Sequence, residues 1–509
     1  MSEPYYITTA ISYPNGKPHI GHAYEAIAAD AIARFHRQAG RDVRFQTGTD
    51  EHGLKMVQTA RDKGVEVRAL ADEMSGLFKA MCDSLDVSYD RFIRTTEPDH
   101  HRASQAIWQA MADAGDLYLS RYEGWYSVRD EAYYDEKELV DGEGGVKLSP
   151  QGTPVTWTAE ESWFFRLSKY QQPLLDHYAA NPDFIRPESR RNEVLRFVEG
   201  GLADLSVSRT SFDWGVKVPG SDGHVMYVWV DALTNYLTGV GYPDDGAALA
   251  KYWPADLHLI GKDIVRFHTV YWPAFLMSAK LALPKSVFGH GFLLNRGEKM
   301  SKSLGNVTDP IGLAEKFGVD SLRYFLLREV SFGQDGSYSA EAIVTRVNAD
   351  LANGLGNLAQ RCLSIIAKTC GGVVPADTVD TPAPDFGDPL GQIVEAMRDL
   401  KINEALEAIW DCVRIANGYF ADMAPWALRK TDPARADGVL YHTAEAIRQL
   451  AILVRWVIPG GADRLLDLLG QDSSARDFAA LNVPIIAGTT LPAPQGVFPR
   501  LDLPVEADA

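Results

Sequence analysis

Residues 5–40 read YYITTAISYPNGKPHIGHAYEAIAADAIARFHRQAG. The opening YYITTAIS is β-branched and aromatic and runs into the turn cluster Tyr13-Pro14-Asn15-Gly16, which predicts a buried strand followed by a loop. From Gly21 to about Gln38 apolar residues recur at helical spacing, and Gly40 is placed to stop the helix. Residues 42–47 (DVRFQT) predict a second strand, with further helices over 53–63 and about 66–85. Strand–helix–strand order of this kind implies a right-handed βαβ unit and an α/β fold with a doubly wound parallel sheet. The theme returns at 256–261 (DLHLIG), an apolar helix, and 286–290 (SVFGH).

The rest of the chain has other textures. Its 509 residues exceed one ordinary core and suggest about three domains. Between the two sheet-forming halves, 116–225 is rich in Trp, Tyr and short β-like runs, with a Gly-rich turn at 142–145, and reads as a small inserted domain. From about 341 helical patterns dominate, interrupted by a Pro-rich loop at 375–388 and closed by an irregular tail, LPAPQGVFPRLDLPVEADA. The N-terminus MSEPYYITTA lacks a basic and apolar leader, and no stretch reaches the roughly 18 apolar residues of a membrane span. A cytoplasmic protein with no membrane partner is expected. The four cysteines, Cys82, Cys362, Cys370 and Cys412, form no C-x-x-C pair, which argues against a disulfide framework and a cysteine zinc knuckle. A net charge of −18 requires that any nucleic-acid surface be a local basic face on an acidic whole.

Two short motifs carry chemistry. Pro18-His19-Ile20-Gly21-His22 falls at the junction of the first strand and helix. A helix N-terminus offers unpaired N–H groups and a positive dipole end to a phosphate, Gly21 leaves room for a flat ring against the backbone, and two imidazoles can donate to oxygens gaining charge. Lys299-Met300-Ser301-Lys302-Ser303 follows Asn295-Arg296-Gly297 in a polar loop, where two lysines can meet a polyphosphate as point charges and the loop can close over a substrate.

This pair resembles the H-I-G-H and K-M-S-K-S signatures of class I aminoacyl-tRNA synthetases. Over essentially the whole chain the sequence is similar to the methionyl-tRNA synthetase family, in the segments Thr8–Gly16, Gly48–Gly53, Tyr227–Tyr236 and Ile260–His268. The resemblance implies a Rossmann-type catalytic domain in two halves (1–115 and 226–290), an inserted connective domain (116–225), a KMSKS loop and stem-contact region (291–340) and an all-α anticodon-binding domain with tail (341–509). It implies ATP with Mg²⁺, L-methionine, and the initiator and elongator methionine tRNAs as partners. His19, His22, Lys299 and Lys302 are then catalytic, and Gly21, Gly261, Asp263, Lys299, Ser301 and Lys302 bind ATP. The methionine pocket comprises Ala10, Ile11, Tyr13, Asp50, Trp229, Ala232, Leu233, Tyr236, Ile264 and His268.

The chemistry of those residues fits. Asp50, at a strand's carboxyl end, can pair with an ammonium, and Tyr13, Trp229 and Tyr236 can wrap a thioether through sulfur–aromatic contacts. Many relatives have Pro where this chain has Leu233. The resemblance places anticodon reading on Asn357, Arg361 and Trp426. Asn357 and Arg361, four apart, share a helix face, and with Trp426 they offer hydrogen bonds and a stacking platform to an unstacked base. Relatives hold zinc in the inserted domain through Cys pairs; this insert contains no cysteine, so no zinc and no other bound metal is expected, and aromatic packing takes its place. With no appended tRNA-binding barrel, a monomer is expected. Two rivals remain open at this point: a class I synthetase for another apolar amino acid, and a nucleotidylyltransferase of the same fold, which would have no use for the helical C-terminal region.

Overall fold

The computed structural model describes residues 2–129, 132–297, 308–377 and 381–503. Its first strand, β1 (Pro4–Thr9), is buried from Tyr5 onward because helices cover both faces of the sheet to which it belongs. It leads through the Tyr13–Gly16 loop into α1 (Ile20–Gln38), which ends where Gly40 takes a φ of +84°. The strands β2 (Asp42–Thr49) and β3 (Arg91–Arg94) follow, then helix α2 (Pro98–Asp113). Gly48 is required in β2, since a Cβ there would lie 2.0 Å from the Ile93 carbonyl oxygen.

The insert is built on a long antiparallel pair, β4 (Leu117–Ser127) and β5 (Thr156–Phe165), in register from Leu117↔Phe165 to Tyr126↔Thr156. Its cross-strand contacts are aromatic: Tyr118 stacks on Phe164 at 5.6 Å, and Trp125 meets Trp157 edge-on at 5.5 Å. The chain rejoins the main sheet earlier than the expected boundary at 226, because Ile185–Arg186 (β6) already pairs with Val287 and Phe288. Two residues are too few to show a periodicity.

Helix α3 (Val228–Thr238) precedes the returning strands β7 (Leu257–Gly261) and β8 (Val287–His290). The completed sheet has the order β3-β2-β1-β7-β8-β6, with all neighbours parallel. Strand order reverses between β1 and β7, where Ile7 faces Leu257, so the crevice for a ligand opens at the carboxyl ends of these two strands.

Beyond residue 340 the chain is helical, with α4 (Asn357–Thr369), α5 (Ile402–Met423) and α6 (Pro433–Val454) forming the bundle. The bundle shares one apolar core with the sheet domain: Phe35 of α1 meets Trp456 at 5.7 Å and Phe478 at 5.5 Å, both edge-on. A fully buried ion pair, Arg323 to Asp30 at 2.5 Å, fastens the same junction, with Arg323 also donating to the Val457 carbonyl at 2.8 Å. The last described residues, up to 503, are irregular but docked, as Asn348 exchanges two hydrogen bonds of 2.8 Å with the backbone of Leu501.

Candidate functional site

The crevice is organised by the first turn of α1. His19 is the N-cap: its Nδ1 accepts from the Gly21 N–H at 3.1 Å, while its own N–H donates to His22 Nδ1 at 3.1 Å. This is a capping box made from two histidines. Each Nδ1 therefore serves as an acceptor, so each neutral ring carries its proton on Nε2, the atom facing away from the backbone. The two rings stack at 3.8 Å, and His22 is braced edge-on by Phe78 at 4.9 Å. No acidic residue occupies the first turn, so the positive end of the dipole is left to an anionic ligand. The flat ring that lies over Gly21 is that of His19, whose Cε1 would be 3.0 Å from a Cβ there. A cleft lined by Thr9, Ser12, His22, Glu25, Phe78 and Met81 opens beside this turn.

Across the switch point, Gly261 ends β7, and a Cβ on it would come within 2.7 Å of Asp263 Oδ1. Asp263 itself is exposed at the mouth. Next to Gly261 in the sheet, His290 presents Nε2 to Glu25 Oε2 at 2.9 Å and Nδ1 to the Gly291 carbonyl at 2.8 Å. Burial opposes a charge on this ring, but Glu25 and the carbonyl outweigh it and raise its pKa. Sequence reasoning missed this pair, although Glu25 sits three residues after His22 on one face of α1. Lys299, Ser301 and Lys302 lie outside the described residues. The chain on either side is anchored: Gly297 N–H donates to Ser337 Oγ at 2.9 Å, and the Thr308 carbonyl accepts from Ile20 N–H at 3.1 Å.

The residues expected to hold an amino acid gather on the other side of β1. Asp50 is buried just past the end of β2, with its N–H donating to the Ser12 carbonyl at 2.9 Å. Ala10, Trp229, Leu233, Tyr236 and Ile264 belong to a single apolar cluster. Trp229 stacks on Phe267 at 3.8 Å with planes 7° apart. Tyr236 OH bonds His268 Nε2 at 2.6 Å, and His268 Nδ1 meets the Ile264 carbonyl at 3.0 Å. A carbonyl only accepts, so His268 carries its proton on Nδ1 and Nε2 receives the tyrosine hydroxyl. Burial pushes the His268 pKa down to about 4, which keeps the ring neutral. Burial, with Glu25 and Asp50 among the facing charges, drives the Tyr236 phenol well above its ordinary pKa, so it stays a donor. Ala232 is buried on α3, Ile11 is half-buried, and Tyr13 packs in a neighbouring cluster with its hydroxyl accepting from Met56 N–H at 3.2 Å.

In the bundle, the Arg361 guanidinium lies 4.9 Å from the Phe420 ring centre and 5.2 Å from that of Trp426. Phe420 and Trp426 meet edge-on at 5.6 Å. Ala424, at φ +41°, breaks the chain between them and turns Trp426 outward, where it is 44% exposed. Asn357, one turn before Arg361 on α4, is also exposed. The cysteines are free, three of them buried, and the described residues contain no cluster of metal-ligating side chains.

A parallel sheet with its crevice at a switch point, a histidine pair capping the helix there and a helical bundle appended are the marks of a class I aminoacyl-tRNA synthetase. The family model described as "tRNA synthetases class I (M)" matches residues 5–363, and that for the "Anticodon binding domain of methionyl tRNA ligase" matches 388–504. The chain belongs to the methionine–tRNA ligase family. It is 60% identical over 505 residues to the enzyme of that name from Mesorhizobium japonicum, covering 98% of each chain, and 59% identical over 516 residues to that from Mycobacterium bovis, covering 99% of each. Among solved structures, Mycobacterium tuberculosis methionyl-tRNA synthetase in complex with methionyl-adenylate superposes with a TM-score of 0.96 at 58% identity, over 98% of this chain and 100% of that one. The apo form of the M. tuberculosis enzyme gives 0.89 at 55% identity, over 99% of each chain.

Proposed function

We propose that the chain activates L-methionine with Mg-ATP and transfers it to initiator and elongator methionine tRNAs, using the residues named above. The observation that carries this reading is the stacked His19–His22 pair at the N-terminus of α1, set at the switch point of a parallel sheet. The methionine carboxylate attacks the α-phosphorus of ATP in line, giving methionyl-adenylate and pyrophosphate. His19 and His22 donate from Nε2 to the phosphoryl oxygens as charge builds, and Lys299 and Lys302 neutralise the departing pyrophosphate. Gly21, Gly261, Asp263 and Ser301 complete the ATP site. No covalent enzyme intermediate is needed: the protein supplies position and charge.

Asp50 pairs with the substrate ammonium, and Ala10, Ile11, Tyr13, Trp229, Ala232, Leu233, Tyr236, Ile264 and His268 enclose the side chain. With Tyr236 and His268 engaged with each other, the pocket offers aromatic faces to a thioether. The 3′-terminal adenosine hydroxyl of tRNA then attacks the adenylate carbonyl, while Asn357, Arg361 and Trp426 read the anticodon in the bundle. The enzyme works as a cytoplasmic monomer and without zinc. Amino-acid-dependent ATP–pyrophosphate exchange, run with each of the twenty amino acids and no tRNA, tests the reading: methionine should dominate, and dominance of another amino acid would overturn the pocket assignment.

A further inference from the structure

Behind the methionine pocket lies a buried array that none of the assignments above uses. Asp231 of α3 is wholly buried, and its two carboxylate oxygens are taken by two imidazoles: His52 Nδ1 to Oδ2 at 2.6 Å and His100 Nε2 to Oδ1 at 2.7 Å. His52 and His100 are buried as well. The other nitrogen of His100 faces Thr238 Oγ1 at 3.0 Å, and the Thr238 hydroxyl donates to the Thr234 carbonyl at 3.2 Å. Burial alone would raise the Asp231 pKa, but the two rings more than offset it and hold the carboxyl well below its ordinary range.

The array joins three elements at one point. His52 follows Asp50 by two residues, His100 is in the first turns of α2, and Asp231 is on the helix that carries Trp229, Ala232, Leu233 and Tyr236. Those four recur at i, i+3, i+4 and i+7 and share one face of α3, whereas Asp231 is turned about 200° from Trp229 and pins the helix from behind. The segment between Asp50 and His52 is itself clamped. Glu51 accepts from Arg94 Nε at 2.6 Å and from Thr96 Oγ1 at 2.6 Å, and its carbonyl accepts from Trp214 Nε1 at 2.6 Å. Apolar residues would fill such a position at less cost in desolvation, whereas a fully satisfied polar network admits one geometry only.

We infer that Asp231 is a positioning residue for the amino acid: through His52 it sets the distance between the Asp50 carboxylate and the aromatic wall on α3. The inference rests on the proposed methionine site and deepens it. Asp231→Ala should raise the KM for methionine in ATP–pyrophosphate exchange by tenfold or more, and weaken methionine binding in equilibrium dialysis to match. The KM for ATP and kcat should stay within about twofold, and Asp231→Asn, which keeps the shape and one acceptor, should recover part of the loss. His52→Gln carries the same expectation and covers the case in which the Asp231 variants fail to fold. Parallel increases in both KM values, or a folded variant with unchanged methionine KM, would reduce the array to core structure and overturn the inference. Asp50→Asn in the same assay separates the two readings: if it leaves methionine KM unchanged, the pocket assignment itself fails; if it alone raises KM, only the role of Asp231 fails.

Discussion

The Thr308 carbonyl accepts a 3.1 Å hydrogen bond from the N–H of Ile20, the residue next to the N-cap histidine. The chain that leaves the lysine-bearing segment is thus tied to the helix terminus expected to meet the phosphates. Thr308 is held in turn through its hydroxyl by Tyr338 OH. Removing that hydroxyl in Tyr338→Phe forfeits one hydrogen bond, about 0.5–1.5 kcal/mol, and should slow pyrophosphate exchange by roughly 2- to 10-fold while leaving methionine KM unchanged. Steady-state exchange at saturating methionine reads the effect. A rate equal to wild type would show that the anchor has no part in activation.

In the bundle, Trp426→Ala removes an exposed stacking surface braced by Arg361. Loss of about 1–3 kcal/mol of base stacking should lower aminoacylation kcat/KM for tRNA by roughly 5- to 150-fold and spare exchange. Equal losses in both reactions would remove Trp426 from anticodon reading.

Asp30 and Arg323 are both fully buried. Breaking the pair leaves a charge without its partner, so Asp30→Asn should destabilise the protein by about 3–5 kcal/mol, measured by the urea midpoint. A double replacement by apolar residues of similar volume should cost less than the single change.

Acid should weaken the fold through buried neutral histidines. His268 has its pKa held down to about 4 by burial, below the ordinary value of 6.5. The unfolded chain therefore binds a proton that the folded one refuses between these values, and stability present above pH 6.5 is lost as pH falls toward 4. Urea midpoints taken at pH 7 and pH 5 should differ in that direction, and by less in a His268→Gln variant.

Gly48→Ala should give little soluble protein, because its Cβ would strike the carbonyl of Ile93, its direct partner on the edge strand β3, and moving that carbonyl aside would break the β2–β3 pairing. Normal yield and melting temperature would contradict the tight approach of β2 and β3.

Local features were legible in the sequence. The strand at residue 5, the helix ending before Gly40 and the strand at 257 each follow from side-chain spacing within a dozen residues. The two candidate motifs stand out in the sequence because H-I-G-H and K-M-S-K-S are contiguous; the structure places the first at the N-terminus of α1, and the second lies outside the described residues. What pattern reading does not reach is pairing across distance: Asp231 with His52 and His100, Glu25 with His290, and Arg323 with Asp30 join segments whose spacing encodes nothing about one another. The two-residue edge strand Ile185–Arg186 is too short for any periodicity, and only its hydrogen-bonded partner, β8, marks it as sheet.

The pairing of Ile7 with Leu257 spans 250 residues of chain. A ribosome adding about 5–20 residues per second makes β7 some 12–50 s after β1, with the exit tunnel adding a further delay. Until then β1 has a partner on one edge only, and the crevice for ATP and methionine has a single wall. The antiparallel pair β4–β5 of the insert is synthesised within that interval, whereas β6 must wait for its partner β8. The nascent chain therefore holds the β4–β5 hairpin before its nucleotide crevice has a second wall, and a message truncated before the codon for residue 257 yields a chain with an open sheet edge exposed to its neighbours.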